Sequence, residues 1–100
     1  MKLRDEKILS STTFNKESDE FKVLGAEVRR IANKEIQGLR LENNDGLYFF
    51  GIGKTNETIL RNNGIKIDDL VNKTIKIQKE KRRFKGYGER EVLVIREVVD

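Results

Sequence analysis

The densest group of residues able to bind a ligand lies at positions 73–90, where eight basic residues stand against two acidic ones. Phe84 and Tyr87 lie among these charges, and Gly86 and Gly88 flank the tyrosine. Lysine and arginine pair with phosphates, and aromatic rings stack on bases. This composition is therefore typical of a hairpin tip that binds single-stranded nucleic acid. The alternative is a solvated, charged loop without a ligand.

Two further groups of residues are candidates for the same ligand. A second basic set consists of Arg29, Arg30, Lys34 and Arg40. In the run Tyr48-Phe49-Phe50, side chains alternate across a sheet, and a ring that faces outward can stack on a base. The alternative is that Tyr48 and Phe50 belong to the core and that Phe49 is partly covered. The predicted nucleic-acid contacts are Arg29, Arg30, Arg40, Tyr48, Phe50, Lys79, Lys81, Arg82, Arg83, Phe84, Lys85 and Tyr87.

The composition argues against catalysis and against a metal centre. The chain has no histidine and no cysteine, so it lacks the commonest general base, the commonest metal ligand and any thiolate. Gly53-Lys54-Thr55 resembles the end of a phosphate-binding loop, but Tyr48 stands where that motif needs its first glycine. Asp68 and Asp69 are typical of caps at a helix start. We therefore predict a protein that is not an enzyme and holds no cofactor or metal.

Length and charge indicate one small domain. A chain of 100 residues has room for a single domain with a modest core. Charged residues make up 38% of it and the formal net charge is +4, which favours a polyanionic partner. No apolar stretch approaches the ~20 residues of a membrane span, and residues 1–11 lack the apolar core of a signal peptide. The sequence thus predicts a cytoplasmic domain over residues 1–100, with residues 1–20 as an irregular extension that contains a short strand at 8–14.

Alternating apolar residues and turn signals predict strands in the first half of the chain. Residues 21–31 fit either a helix or a strand, and Gly25 in the middle favours the strand. Residues 36–42 and 47–52 are predicted as strands on either side of a tight turn at 43–46, because its asparagine, aspartate and glycine residues tolerate positive φ.

A short helix and a final hairpin are predicted in the second half. The helix is expected at about 55–63, where Thr55 or Asn56 would cap its start and Gly64 suits the left-handed position after its end. The hairpin strands are expected at 74–84 and 90–98.

The order of these elements predicts an all-β fold with one short helix. A meander of three strands, a helix and two further strands is the order of an OB-fold, a five-stranded, partly open barrel with the helix between strands three and four. In such a barrel the loop joining strands one and two lies beside the loop joining strands four and five. The two basic sets would then flank one groove.

The second half of the chain also resembles a protein family. The residues that carry the resemblance are Gly53-Lys54-Thr55-Asn56, Gly64, Asp68 to Lys73, Ile75, Ile77, Gly86 or Gly88, and Val94-Ile95-Arg96. They are similar to the pattern K-T-N … G … D-x-W-I-G-K-x-I-x-L … G … I-R-V of small phage and mobile-element proteins, which look OB-fold-like and are often encoded near replication or recombination genes. The resemblance covers residues 50–98. Leu70 and Val71 depart from it, as does Asn72, although asparagine is the best substitute for glycine at positive φ.

Together these patterns predict a non-catalytic protein that binds single-stranded nucleic acid, with DNA as the expected form and with low sequence specificity. The alternative is a structural or adaptor module of a phage or mobile element that holds a protein partner. Homo-oligomerisation and a partner from replication or recombination both stay open at this point.

Overall fold

The protein is built around a six-stranded sheet, described over residues 6–86 and 88–99 of a computed structural model. The strands are β1 (Glu6–Ile8), β2 (Ser18–Ile31), β3 (Lys34–Asn43), β4 (Gly46–Gly51), β5 (Thr74–Phe84) and β6 (Gly88–Val99). An α-helix, α1 (Lys54–Asn62), and a 3-10 helix (Ile67–Leu70) connect β4 to β5. The sheet order is β1-β4-β3-β2-β5-β6. β1 and β4 are parallel, and the other neighbours are antiparallel.

The prediction of an all-β fold with one short helix is confirmed, but the predicted strand count is wrong. β1 adds a sixth strand beside β4, so α1 lies between the fourth and fifth strands rather than between the third and fourth. β1 is only three residues long and all three are exposed, so its sequence has no alternation of buried and exposed residues that would distinguish it from a loop. The short strand predicted at 8–14 is also wrong, since residues 11–13 form a turn. In the described residues the strands form an open sheet with β1 and β6 at its edges.

The longest strand, β2, joins the two halves of the sheet. Its first part, residues 18–22, pairs with β5, and residues 22–31 pair with β3. A register shift between Val23 and Gly25 marks a β-bulge, which bends the strand so that it can serve two neighbours. Residues 21–31, which fit either a helix or a strand in the sequence, are therefore part of a strand.

The hydrophobic core lies on one face of this sheet, under α1 and the 3-10 helix. Its buried members include Phe21, Val23, Leu39, Leu41, Phe50, Leu60, Leu70, Ile75, Ile77 and Ile95. Residues 1–20 were predicted to form an irregular extension, yet Leu9 and Phe14 are each only 5% exposed and belong to this core. The segment before β2 therefore packs as part of the domain.

Several turns follow the predicted chemistry. In the turn between β3 and β4, Asn43 Oδ1 accepts hydrogen bonds from the N–H groups of Asp45 (2.8 Å) and Gly46 (3.1 Å). Gly64 follows the end of α1 and has a φ of 68°. The Ile65 N–H donates to Leu60 O at 2.9 Å, as in a Schellman motif. Asn72 has a φ of 70°, which asparagine tolerates better than most residues.

The start of α1 departs from the prediction. Gly53 is the N-cap, without a side-chain cap hydrogen bond, so neither Thr55 nor Asn56 caps the helix. Asn56 instead lies inside α1, is 4% exposed and reaches β6. Its Nδ2 donates to Leu93 O, and its Oδ1 accepts from the Ile95 N–H, both at 2.9 Å. One amide thus supplies the donor and the acceptor that a neighbouring strand would supply, and it fixes α1 against the edge of β6.

Candidate nucleic-acid interface

The end of the terminal hairpin extends beyond the rest of the sheet. The first residue of β2, Ser18, pairs with Gln78, and one further backbone bond joins the Lys79 N–H to Glu17 O at 2.8 Å. Beyond that bond, the paired residues 80–84 and 88–92 form a two-stranded projection, here called the arm. The tip between them contains Tyr87, which lies outside the described residues.

One face of the arm carries three cations in a row. The side chains of Lys79, Lys81 and Arg83 alternate with their neighbours and continue the face that contains Ile75 and Ile77. Lys79 Nζ lies 3.9 Å from Glu91 Oε2. The strand register sets Glu91 opposite Lys81 and Glu89 opposite Arg83 on this face. Even so, Lys81, Arg83 and the tip residue Lys85 form no ion pair among the described residues. These three charges are therefore available to an external anion.

The other face of the arm is organised around Glu80. Its carboxylate, 15% exposed, pairs with Arg82 at 3.2 Å and with Arg96. Two arginines thus share one carboxylate, which leaves a net positive charge in this trio. Phe84 lies on this face at the tip and is half-buried, opposite Gly88, which has no side chain to cover the ring. The charges on this face could bind a phosphate, and the partly exposed ring at its end could stack on a base.

Arg29 and Arg40 lie elsewhere, on the face of β2, β3 and β4 opposite the core. The Arg29 guanidinium carbon lies 4.2 Å from the centre of the Phe49 ring, a cation–π contact that covers this phenylalanine. Phe49 is only 1% exposed, and its ring lies over Gly38, where a Cβ would be 2.6 Å from the ring. The Phe49 ring thus lies between the Arg29 guanidinium and Gly38.

Two glutamates neutralise these arginines. Arg29 Nε donates to Glu27 Oε1 at 2.9 Å, and Arg29 Nη1 donates to Glu6 Oε1 on β1. Arg40 Nε lies 3.9 Å from the same Glu27 oxygen. The hydrogen bond from Arg29 lowers the pKa of the Glu6 carboxyl and raises the pKa of Arg29, so both groups are charged at neutral pH. We call Glu6, Glu27, Arg29, Arg40 and Phe49 the arginine face.

The structure does not place the two basic sets side by side. β2 runs from Ser18 to Ile31, whereas its antiparallel neighbour β5 continues from Gln78 in the opposite direction. Arg29 and Arg30 therefore lie toward one end of this strand pair, and the arm lies toward the other. Arg30 and Lys34 are exposed beside the turn between β2 and β3. Strand register thus gives no support to a single groove flanked by both sets.

The sheet aromatics follow the alternative interpretation. Phe50 is 4% exposed in the core, opposite Leu39, and it offers no ring face to a base. Tyr48 is half-buried on the same face, with its ring edge-on to Phe21 at a centroid distance of 5.7 Å. The predicted stacking role is therefore wrong for Phe50, and the Tyr48 ring packs against the core. The ring on the opposite face is Phe49, which Arg29 covers.

A cavity of about 660 Å³ lies near the turn between β3 and β4, where Lys16 pairs with Asp19 at 3.1 Å and with Asp45 at 3.2 Å. Among the described residues, no group of histidine, cysteine, aspartate and glutamate side chains could hold a metal ion. Over the same residues, no helix has the length and apolar composition of a membrane span.

Comparison with known proteins finds no match to this chain among family models, curated proteins or solved structures. The interpretation of the arm and of the arginine face therefore depends on their own geometry and charge.

Proposed function

We propose that the protein is a non-catalytic, OB-type module that binds single-stranded nucleic acid, DNA in particular, through the arm. The observation that carries the proposal is a hairpin that extends beyond the sheet and carries three cations without an ion-pair partner among the described residues, Lys81, Arg83 and Lys85, with the half-buried ring of Phe84 on its other face at the tip. Glu91 and Glu89 lie opposite Lys81 and Arg83 across the hairpin, but neither glutamate forms an ion pair with the cation opposite it.

The spacing of these groups suits an extended polyanion. A strand rises about 3.3 Å per residue, so Lys81 and Arg83 on one face are about 7 Å apart along β5. That separation is comparable to the distance between successive phosphates of an extended single strand. Phe84, on the other face at the tip, supplies a π-face for a base. Phosphates and π-faces are common to all nucleotides, so low sequence specificity follows.

The element order supports the OB-type assignment. Without β1, the strands form a meander (β2, β3, β4), α1 and a hairpin (β5, β6), with the bent β2 between the two groups. In an OB-fold the third and fifth strands close the barrel, which here correspond to β4 and β6. β1 occupies the outer edge of β4, and Asn56 on α1 occupies part of the edge of β6.

The proposal is tested by a fluorescence-anisotropy titration of labelled oligo-dT at low salt. We expect the Lys81→Ala, Arg83→Ala and Lys85→Ala triple variant to bind at least about tenfold more weakly, since each exposed charge contact contributes about 0.5 kcal/mol. The matched control carries Lys54→Ala, Arg61→Ala and Lys66→Ala, which remove the same charge from exposed residues on and after α1.

Two results would contradict the proposal. Equal losses in the two triple variants would mean that net charge, rather than the arm, determines binding. Undetectable binding by the wild-type protein would exclude the nucleic-acid function and favour the adaptor module. The same titration with oligo-U distinguishes DNA from RNA.

A further inference from the structure

β1 contributes a charge to the arginine face but has few contacts that hold it there. It is three residues long, all three are exposed, and it pairs with one strand only, β4. After β1, the Leu9 N–H donates to Phe49 O at 2.9 Å, and Thr13 Oγ1 donates to Ile8 O at 3.0 Å. Leu9 itself is buried in the core, so a displacement of β1 concerns residues 6–8 alone. Ile8 remains 54% exposed although it lies opposite Phe49. Short edge strands with exposed side chains separate from a sheet at low cost, because they bury few apolar contacts.

Arg29, by contrast, is held in place by two residues outside β1, Phe49 and Glu27. Its guanidinium lies over the Phe49 ring, and its Nε and Nη2 groups are held by Glu27, two residues earlier on the same strand. These contacts do not involve β1. The Nη1 group alone is directed at Glu6, the carboxylate that β1 supplies. If β1 moved away, Arg29 would keep its position and present an unpaired N–H edge.

An arginine held in this way binds carboxylate and phosphate oxygens by the same geometry. The guanidinium donates in its own plane, and both anions accept one or two such bonds. We propose that Glu6 occupies a phosphate-binding position on Arg29, and that displacement of β1 opens a second phosphate site for the single strand on the arginine face. This inference rests on the proposed function, and it concerns a site separate from the arm.

The direct test is the substitution Glu6→Gln, which removes the competing charge and keeps the size of the side chain. We expect this variant to bind oligo-dT about three- to tenfold more tightly than the wild-type protein, as a phosphate replaces the lost carboxylate. The control is Glu57→Gln on α1, where an exposed glutamate has no ion-pair partner among the described residues. It reports the gain that comes from net charge alone.

A second variant assigns the gain to Arg29. In the double variant Glu6→Gln, Arg29→Lys, the charge is kept but the planar fork is lost, so the tighter binding should disappear. The ¹⁵N signal of Arg29 Nε should also shift when oligo-dT is added to Glu6→Gln, and shift less in the wild-type protein. Circular dichroism checks that each variant is folded.

The outcomes separate this inference from the proposed function. If Glu6→Gln and Glu57→Gln bind alike while the arm variant loses affinity, the second phosphate site is refuted and the function of the arm stands. The site is also refuted if the gain persists in the double variant. If neither the wild-type protein nor Glu6→Gln binds oligo-dT, both are refuted.

Discussion

Replacing Asn56 should lower the free energy of unfolding by more than the size of its side chain suggests. Its side-chain amide makes two hydrogen bonds, one with Leu93 O and one with the Ile95 N–H, and it is 4% exposed. Asn56→Ala removes both partners at once. The carbonyl and the N–H on β6 are then left facing α1 with little access to water.

The structure sets the size of the effect. A buried backbone group that loses its partner costs about 1–3 kcal/mol, so two such groups would cost about 2–6 kcal/mol. Partial entry of water into the space left by the amide favours the lower half of this range, about 2–4 kcal/mol. For a domain of this size, 1 kcal/mol corresponds to about 4–8 °C in the melting temperature. We therefore expect the melting temperature to fall by at least about 8 °C.

Urea unfolding followed by circular dichroism measures this loss. Asn62→Ala is the matched control, because Asn62 lies on the same helix and is exposed, and alanine favours a helix more than asparagine does. It should change the free energy of unfolding by no more than about 0.5 kcal/mol. Asn56→Asp should cost at least as much as Asn56→Ala, since a carboxylate cannot donate to Leu93 O and its charge would be buried. If Asn56→Ala were as stable as Asn62→Ala, the role assigned to the amide would be refuted.

Three further outcomes are expected. Gly38→Ala should cost about 1–3 kcal/mol in urea unfolding, because its Cβ would lie 2.6 Å from both the Phe49 ring and Phe50 O, whereas Gly53→Ala, with no atom within 4 Å, should cost much less. The pKa of Glu6 is lowered in the folded state, so its carboxylate stabilises the protein above its unfolded pKa, and this contribution is lost as the pH falls. The melting-temperature difference between wild type and Glu6→Gln should therefore begin to shrink as the pH falls through the unfolded pKa of glutamate, about 4.3, and should disappear below the folded pKa, whereas a constant difference from pH 7 to pH 3 would refute the ion pair. Phe84→Ala should weaken oligo-dT binding by ~1 kcal/mol or more with little change in melting temperature, and the opposite result would assign the ring to the core.

The regular elements were predictable where the sequence carries a local signal. The start of β5 follows from the alternation of apolar and polar residues at 74–77, and the end of α1 follows from Gly64, which takes positive φ without strain. The turn at 43–46 was likewise set by residues within the turn itself. Each of these features depends on neighbours in the sequence.

The features that were missed depend on residues far apart in the chain. No charged residue lies between Leu47 and Phe50, so the sequence left open which face of β4 is the core. The burial of Phe50 decides this and makes its predicted stacking role wrong. Asn56 is a good cap by residue type, and only the position of β6 shows that its amide binds another strand. Glu6 lies 23 residues from Arg29, and nothing in either residue alone predicts their contact.

Part of the candidate site was nevertheless visible in the sequence. The excess of cations near the hairpin tip predicted the arm, and the structure adds which of them lack acidic partners. The ion pair between Glu27 and Arg29 was also open to prediction, because residues two apart on a strand share a face. The ion pairs that join Glu6 to Arg29 and Glu27 to Arg40 could not be predicted in this way, because they depend on the sheet register.

The salt dependence of oligo-dT binding tests the central claim most directly. Affinity is measured for the wild-type protein, for the triple variant of Lys81, Arg83 and Lys85, and for the control triple variant at several salt concentrations. Each phosphate contact contributes ~0.7 to the slope of log affinity against log salt for a single strand, so the arm variant should lose about 2 from its slope. The control should keep the wild-type slope. Identical slopes in all three proteins would contradict a phosphate-binding arm.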